Sequence, residues 1–125
     1  MLQQIILDNV PLPRQSGDRY ACWEDLLGER VEMISGRVVL EVRGKIYRAR
    51  YSADVLDDDT CRRVLAVLRS GKSFPAVVLS DSSDRMVQGE FLVETLTPPS
   101  FAFEANGKPV WHGLAFQIRE VAPHA

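Results

Sequence analysis

The sequence predicts an α+β domain, with a mainly antiparallel β-sheet or partly closed barrel and one principal amphipathic helix packed across it. Three observations carry this expectation. Several short runs alternate apolar and polar residues, as half-buried strands do. One segment, Leu56 to Gly71, repeats its apolar residues at helical spacing. Ser73 to Thr95, SFPAVVLSDSSDRMVQGEFLVET, reads as two apolar strands joined by a polar turn, and the remaining elements are expected to flank it.

With 125 residues the chain has the length of one structural domain spanning 1–125. Hydrophobic residues at 46% and charged residues at 26% are ordinary globular usage, which argues against disorder, a fibrous repeat or a disulfide-built miniprotein. Fifteen Lys/Arg against seventeen Asp/Glu leave a formal charge of -2, so no bulk cationic field is available to hold nucleic acid or an anionic membrane. Cys22 and Cys61 are too few for a disulfide framework. The opening MLQQIILDNVPLP lacks a basic n-region, a long apolar h-region and a small-residue cleavage site. No segment approaches bilayer length, so the expected chain is uncleaved and water-soluble.

Leu2 to Val10 supplies a short strand through Ile5, Ile6, Leu7 and Val10, interrupted by Asp8-Asn9; the following PLP withholds backbone donors and places the strand at an edge. Arg14 to Arg30 has no clean period and reads as an ordered loop packed on the sheet, in which Trp23 is either a plug or a partner-facing anchor. Val31 to Ile34 and Arg37 to Arg43 are strand-like and punctuated by Gly36 and Gly44. Val38, Leu40 and Val42 fall on one side, with Arg37, Val39, Glu41 and Arg43 on the other.

Lys45 to Tyr51 alternates again. Its arginines and aromatics also fit a platform for single-stranded nucleic acid or another ligand, built from Tyr47, Arg48, Arg50 and Tyr51. The acidic cluster that follows weakens such a groove. In the helix, Asp57, Asp58 or Asp59 caps the start, Cys61, Val64, Leu65 and Leu68 form the apolar stripe, and Gly71 stops it.

After the central hairpin, Thr97-Pro98-Pro99-Ser100 makes a stiff exit and Phe101-Ala102-Phe103 a brief β-like piece. Asn106-Gly107-Lys108-Pro109 is the strongest turn signal, and its proline suggests a connection longer than two residues. Val110 to Val121 reads as the last strand, with His112, Leu114, Phe116 and Ile118 on one face, before a short loose tail at 122–125.

Reactive chemistry finds little support in this pattern. No zinc-ligand spacing, phosphate-cradling glycine loop or nucleophile elbow is present, so no catalytic residue, cofactor or metal ligand is assigned. Asp54, Asp57, Asp58 and Asp59 lack the graded spacing of a calcium loop and are explained as helix caps. Cys61 reads as a buried inert thiol, and His112 as a partly buried, hydrogen-bonded ring.

Taken in order, several pieces resemble a family of small tail-associated structural proteins of long-tailed bacteriophages and prophages, chiefly of Gram-positive hosts. These pieces are Val10 to Pro13, the Gly- and Arg-rich Gly36 to Tyr51, the acid-led helix Asp57 to Ser70, FPAVVLSD at Phe74 to Asp81, GEFLVET at Gly89 to Thr95 and WHGLAFQIRE at Trp111 to Glu120. The resemblance implies a non-enzymatic building block that binds itself and other phage tail proteins, located in the virion tail after assembly in the host cytoplasm. Nucleic acid and membrane are not expected partners. The residues expected to carry assembly contacts, because they lie on loops or exposed strand faces, are Trp23, Arg48, Arg50, Asp81, Ser82, Ser83, Asp84, Asn106 and Lys108.

Overall fold

The computed structural model describes residues 3–125, with the side chains of Glu29, Arg30, Leu40 and Glu41 outside the description. The expected first strand began at Leu2, which is likewise outside the described residues. The elements run β1 (Ile5–Leu7), β2 (Val10–Pro11), a 3-10 turn (Gly17–Arg19), β3 (Tyr20–Glu32), β4 (Val38–Ser52), β5 (Val55–Asp57), α1 (Asp58–Leu68), β6 (Phe74–Leu79), β7 (Met86–Thr97), β8 (Ser100–Ala105), β9 (Lys108–His112) and β10 (Ala115–Glu120).

A large sheet has the strand order β2-β1-β6-β7-β10-β4-β3, and a small one has the order β5-β9-β8. The pairings are antiparallel. Strand β3, at one edge of the large sheet, curls back to the end of β6. There the Tyr20 hydroxyl donates to the Leu79 carbonyl at 2.7 Å, and the Asp81 amide donates to the Cys22 carbonyl at 2.9 Å. The sheet is therefore drawn toward closure without a continuous ladder across the seam. This is the α+β architecture with a mainly antiparallel sheet and one principal helix that the alternation and the amphipathic stripe predict.

The helix forms where its caps and stripe require. Asp57 accepts a hydrogen bond from the Thr60 amide at 3.2 Å, and Cys61, Val64 and Leu68 are buried on one face. They meet Ile5, Leu7, Tyr51, Phe74, Val78, Phe91, Phe116 and Ile118 from the strands in a single core cluster. The central hairpin forms with the Ser80 to Arg85 segment as its turn, as expected, and its register runs from Phe74 opposite Phe91 to Leu79 opposite Met86. The single edge strand expected from Leu2 to Val10 is two strands: β1 lies between β2 and β6, and the edge is β2, where Pro11 withholds its donor.

Four further expectations are corrected. The segment expected as a loop at 14–30 is strand from Tyr20 onward; its missing period reflects charged residues paired across to β4 and a distal half with no core beneath it. The last strand is two strands in two sheets, broken at Gly113, whose φ of 81° is open to glycine and strained for other residues. His112 accordingly leaves the apolar face and is exposed, 4.0 Å from Asp54, while Leu114, Phe116 and Ile118 remain buried. Ala105 pairs with Lys108, so Asn106-Gly107 is a two-residue turn with both φ values positive; Pro109 lies beyond the reach of β5 and needs no donor on that side.

The tail is the fourth correction, because it is tied down. Backbone bonds join the Lys45 amide to the Ala125 carbonyl and the His124 amide to the Lys45 carbonyl, each at 3.0 Å.

Candidate assembly surface

Strand β10 supports β4 only from Arg48 to Ser52, whereas β3 follows β4 out to the Glu32–Val38 pair. Beyond Gly44 the hairpin is thus a two-stranded arm, closed at its tip by the Met33 amide donating to the Arg37 carbonyl at 2.7 Å. Isolated two-stranded ribbons are marginal in water. This one also exposes Leu26, Val31, Met33, Ile34, Val38, Val39 and Val42, with Met33 at 51%, Val38 at 56% and Ile34 fully open. The expected division of 37–43 into an apolar and a polar side does not sort buried from exposed, since Val38, Val39 and Val42 are all exposed.

The arm is anchored at its root. Leu27 pairs with Gly44 and Gly28 with Val42, leaving a bulge at Arg43. Gly44 has φ 146°, and a β-carbon there would stand 2.6 Å from Pro123 Cβ and 2.9 Å from the Ala125 carbonyl oxygen. Only glycine lets the tail cross the hairpin this closely. The His124 ring stacks on Tyr47 at 4.0 Å, with Nδ1 against Glu120 Oε1 and Nε2 3.0 Å from Glu24 Oε2. Glu120, almost wholly buried, also accepts from the Tyr47 amide at 2.8 Å. Burial pulls the His124 pKa down, but its hydrogen bonds to Glu24 and Glu120 more than offset this and leave it above the ordinary value. Glu24 is held below the usual carboxylate range, chiefly by its bond to His124.

At the other end of β4 the small sheet presents a second apolar surface. Phe101 and Phe103 on its edge strand β8 are 62% and 53% exposed, and Phe101 meets Trp111 edge to face at 6.4 Å. Between this sheet and α1 lies a groove of about 260 Å³, lined by Leu65, Pro98, Pro99 and Trp111 with Arg62 and Arg69. Trp111 is fixed by its indole N–H donating to Asp58 Oδ1 at 3.0 Å, and Asp58 also receives Arg62 Nε at 2.9 Å.

The residues expected to carry contacts fall into separate places. Trp23 is half-buried opposite Arg48, and it shares a shallow concavity of about 330 Å³ with Asp81. Arg48 is spent within the chain, 2.9 Å from Asp25 Oδ2 and 2.8 Å from Glu94 Oε2, whereas Arg50 is exposed. Asp81, Ser82, Ser83 and Asp84 are exposed in the β6–β7 turn, where the Ser80 and Ser83 hydroxyls accept from the amides of Ser82 and Arg85. Asn106 and Lys108 are exposed at the tip of the small sheet. The arm, the Phe101/Phe103 edge and the Glu24–His124–Glu120 clamp were absent from that set. The arm's signal was present as valines on both sides of a strand; the clamp joins residues 100 positions apart and has no local signal.

The nucleic-acid platform is dismantled by the same geometry. Tyr51 is wholly buried, its hydroxyl donating to the Pro13 carbonyl at 2.7 Å; Tyr47 is covered by His124, and Arg48 is neutralised by two carboxylates. Burial pushes the Cys22 thiol up to about 11 and also raises Cys61, so both are poor nucleophiles. Among the described residues no group of three or more His, Cys, Asp or Glu side chains could hold a metal ion. In that same set no helix is long and apolar enough to cross a membrane.

The geometry describes a β-rich domain with exposed apolar projections, whose convergent titratable cluster among the described residues, Glu24–His124–Glu120, ties the tail to the root of the arm. No family model and no curated protein matches the chain. Among solved structures it is similar to a chain in the virion of a native gene transfer agent particle, with TM-score 0.56 and 16% identity over 95% of this chain and 90% of that one. It is also similar to a chain in the tail of an empty gene transfer agent particle, described with C6 symmetry, with TM-score 0.52 and 15% identity over 82% of this chain and 75% of that one. At these identities the likeness is one of fold.

Proposed function

We propose that the chain is a non-enzymatic structural subunit of a phage-like tail, acting by self-assembly and by docking to other tail proteins. The observation that carries this reading is the apolar arm, a ribbon with too little support of its own and a surface that association would cover. The likeness in fold to chains of gene transfer agent particles gives that association a context. The reading includes a single-domain protomer, assembly in the host cytoplasm, residence in the virion tail and, from the sequence resemblance, a Gram-positive host.

Sixfold rings are the proposed arrangement, by analogy with the tail described with C6 symmetry. Trp23, Arg50, Asp81 to Asp84, and Asn106 and Lys108 at the tip of the small sheet are proposed as polar rim contacts of the assembly, where polar groups set register more than affinity. Light scattering over a wide concentration range, paired with electron microscopy of the particles formed, tests the reading. The expected result is concentration-dependent growth into rings or short stacks. A strict monomer throughout, with no incorporation into tails when co-expressed with neighbouring tail genes, would overturn it.

A further inference from the structure

We infer that the arm of one copy seats on the small-sheet end of the next, with its tip against the groove between α1 and β8–β9, so that copies join head to tail. This inference rests on the self-assembly reading above. Strand β4 leaves the arm at Val38 and delivers the chain at Ser52 to the small sheet, which begins at Val55. At ~3.4 Å per residue the two ends of β4, at the tip and next to the small sheet, lie roughly 50 Å apart along the strand, so one copy's arm does not cover its own groove.

The exposed apolar side chains are concentrated at these two ends. Leu26, Val31, Met33, Ile34, Val38, Val39 and Val42 are on or beside the arm, and Val55, Phe101 and Phe103 are on the small sheet. A contact between two arms covers only the first set. A head-to-tail contact covers the arm together with Phe101, the groove-side residue opposite Trp111, in one operation, and because it is heterologous it repeats into a ring or a stack.

The area and shape agree with this occupant. Seven half-exposed aliphatic side chains amount to on the order of 500 Å² of apolar surface, close to the apolar share of the ~800 Å² that each partner contributes to a standard interface. The groove, at about 260 Å³, falls below the roughly 300–1,000 Å³ of small-molecule sites and suits one or two anchoring side chains. Ile34 and Met33, at the hairpin tip, are the anchors the geometry offers.

The test uses Ile34→Asp on the arm and, on the small sheet, Phe101→Asp, which pairs opposite Trp111 on the groove side; both positions are exposed, and circular dichroism and thermal melting confirm that each variant folds. Sedimentation velocity of the wild type, each variant and an equimolar mixture reads the outcome. Each variant alone should need about tenfold or more higher concentration to associate. The mixture should form one-to-one dimers that stop growing, because only one intact arm meets one intact groove. Undiminished assembly of the Phe101→Asp variant, or a mixture that stays monomeric, overturns head-to-tail seating while leaving self-assembly standing. A wild type that never associates overturns the assembly reading, and this inference with it. As an independent check, Ile34→Cys with Phe101→Cys should give disulfide ladders under oxidation, since the native Cys22 and Cys61 are buried. Disulfide-linked dimers from Ile34→Cys alone would instead report arm-to-arm contact and count against the proposal.

Discussion

Two hairpins in this chain are made of similar residues and meet opposite fates. The β6–β7 hairpin lies between β1 and β10, and its Phe74, Ala76, Val78 and Phe91 are buried in the core cluster. The β3–β4 hairpin has a third strand only at its base, and its valines reach solvent. An apolar, β-branched run specifies a strand, but burial requires a second layer to pack against. The comparison separates residues that hold the fold from residues left for association. The largest expected effect sharpens that division: Phe91→Ala should destabilise the chain by about 3–5 kcal/mol in urea titration, while Ile34→Asp should stay within ~0.5 kcal/mol. Equal losses from the two would erase the distinction.

The junction between the two regions should respond next. Gly44→Ala places a β-carbon against Pro123 and the Ala125 carbonyl at an unfavourable φ, and should cost about 1–3 kcal/mol or expel the tail. Loss of hydrogen-exchange protection at the Lys45 amide, with retained protection in β6, would distinguish expulsion from global destabilisation. Tyr20→Phe removes the hydroxyl that ties the base of β3 to Leu79 and should cost about 1 kcal/mol by the same titration. A neutral outcome would mean that the Asp81–Cys22 backbone bond alone holds the seam.

The central hairpin and the helix were legible because their signals are local, alternation and a cap with a stripe, while proline chemistry marked an edge that falls at Val10–Pro11 and not at Ile5–Leu7. The two-residue Asn106-Gly107 turn was legible too, but Pro109 weighed against it. What settles the matter is that β5 pairs β9 only up to Val110, a tertiary fact. Strand β3 was hidden because Trp23, Glu24 and Asp25 take their partners from Arg48, His124 and the β4 backbone, none of them adjacent in sequence. The candidate surface was legible in part. Exposed turns can be read from Ser, Asp and Asn, whereas an exposed valine looks like a core valine until the missing layer is seen.

The smallest expected effect concerns the clamp that fixes the tail to the root of the arm. The folded pKa of His124 is raised, so its stabilising contribution is fully present below the ordinary value of about 6.5 and fades as pH rises through the raised folded value. Glu24 has a depressed folded pKa, so its contribution is present above the ordinary value of about 4.3 and fades as pH falls through the folded one. The clamp should therefore be tightest between these two ordinary values and loosen on either side. The charged groups bonded to the His124 ring are Glu24 on β3 and Glu120 on β10, and Lys45 on β4 helps to keep Glu24 ionised. Proton NMR of the imidazole should give a midpoint above about 6.5, and protection at the His124 and Lys45 amides should decline through that midpoint while β6 and β7 hold theirs. His124→Gln should remove the decline on the alkaline side without moving the core. If the β6–β7 amides loosened along with the tail, the two hairpins would be one cooperative unit, and the arm's independence from the core would fail at its root.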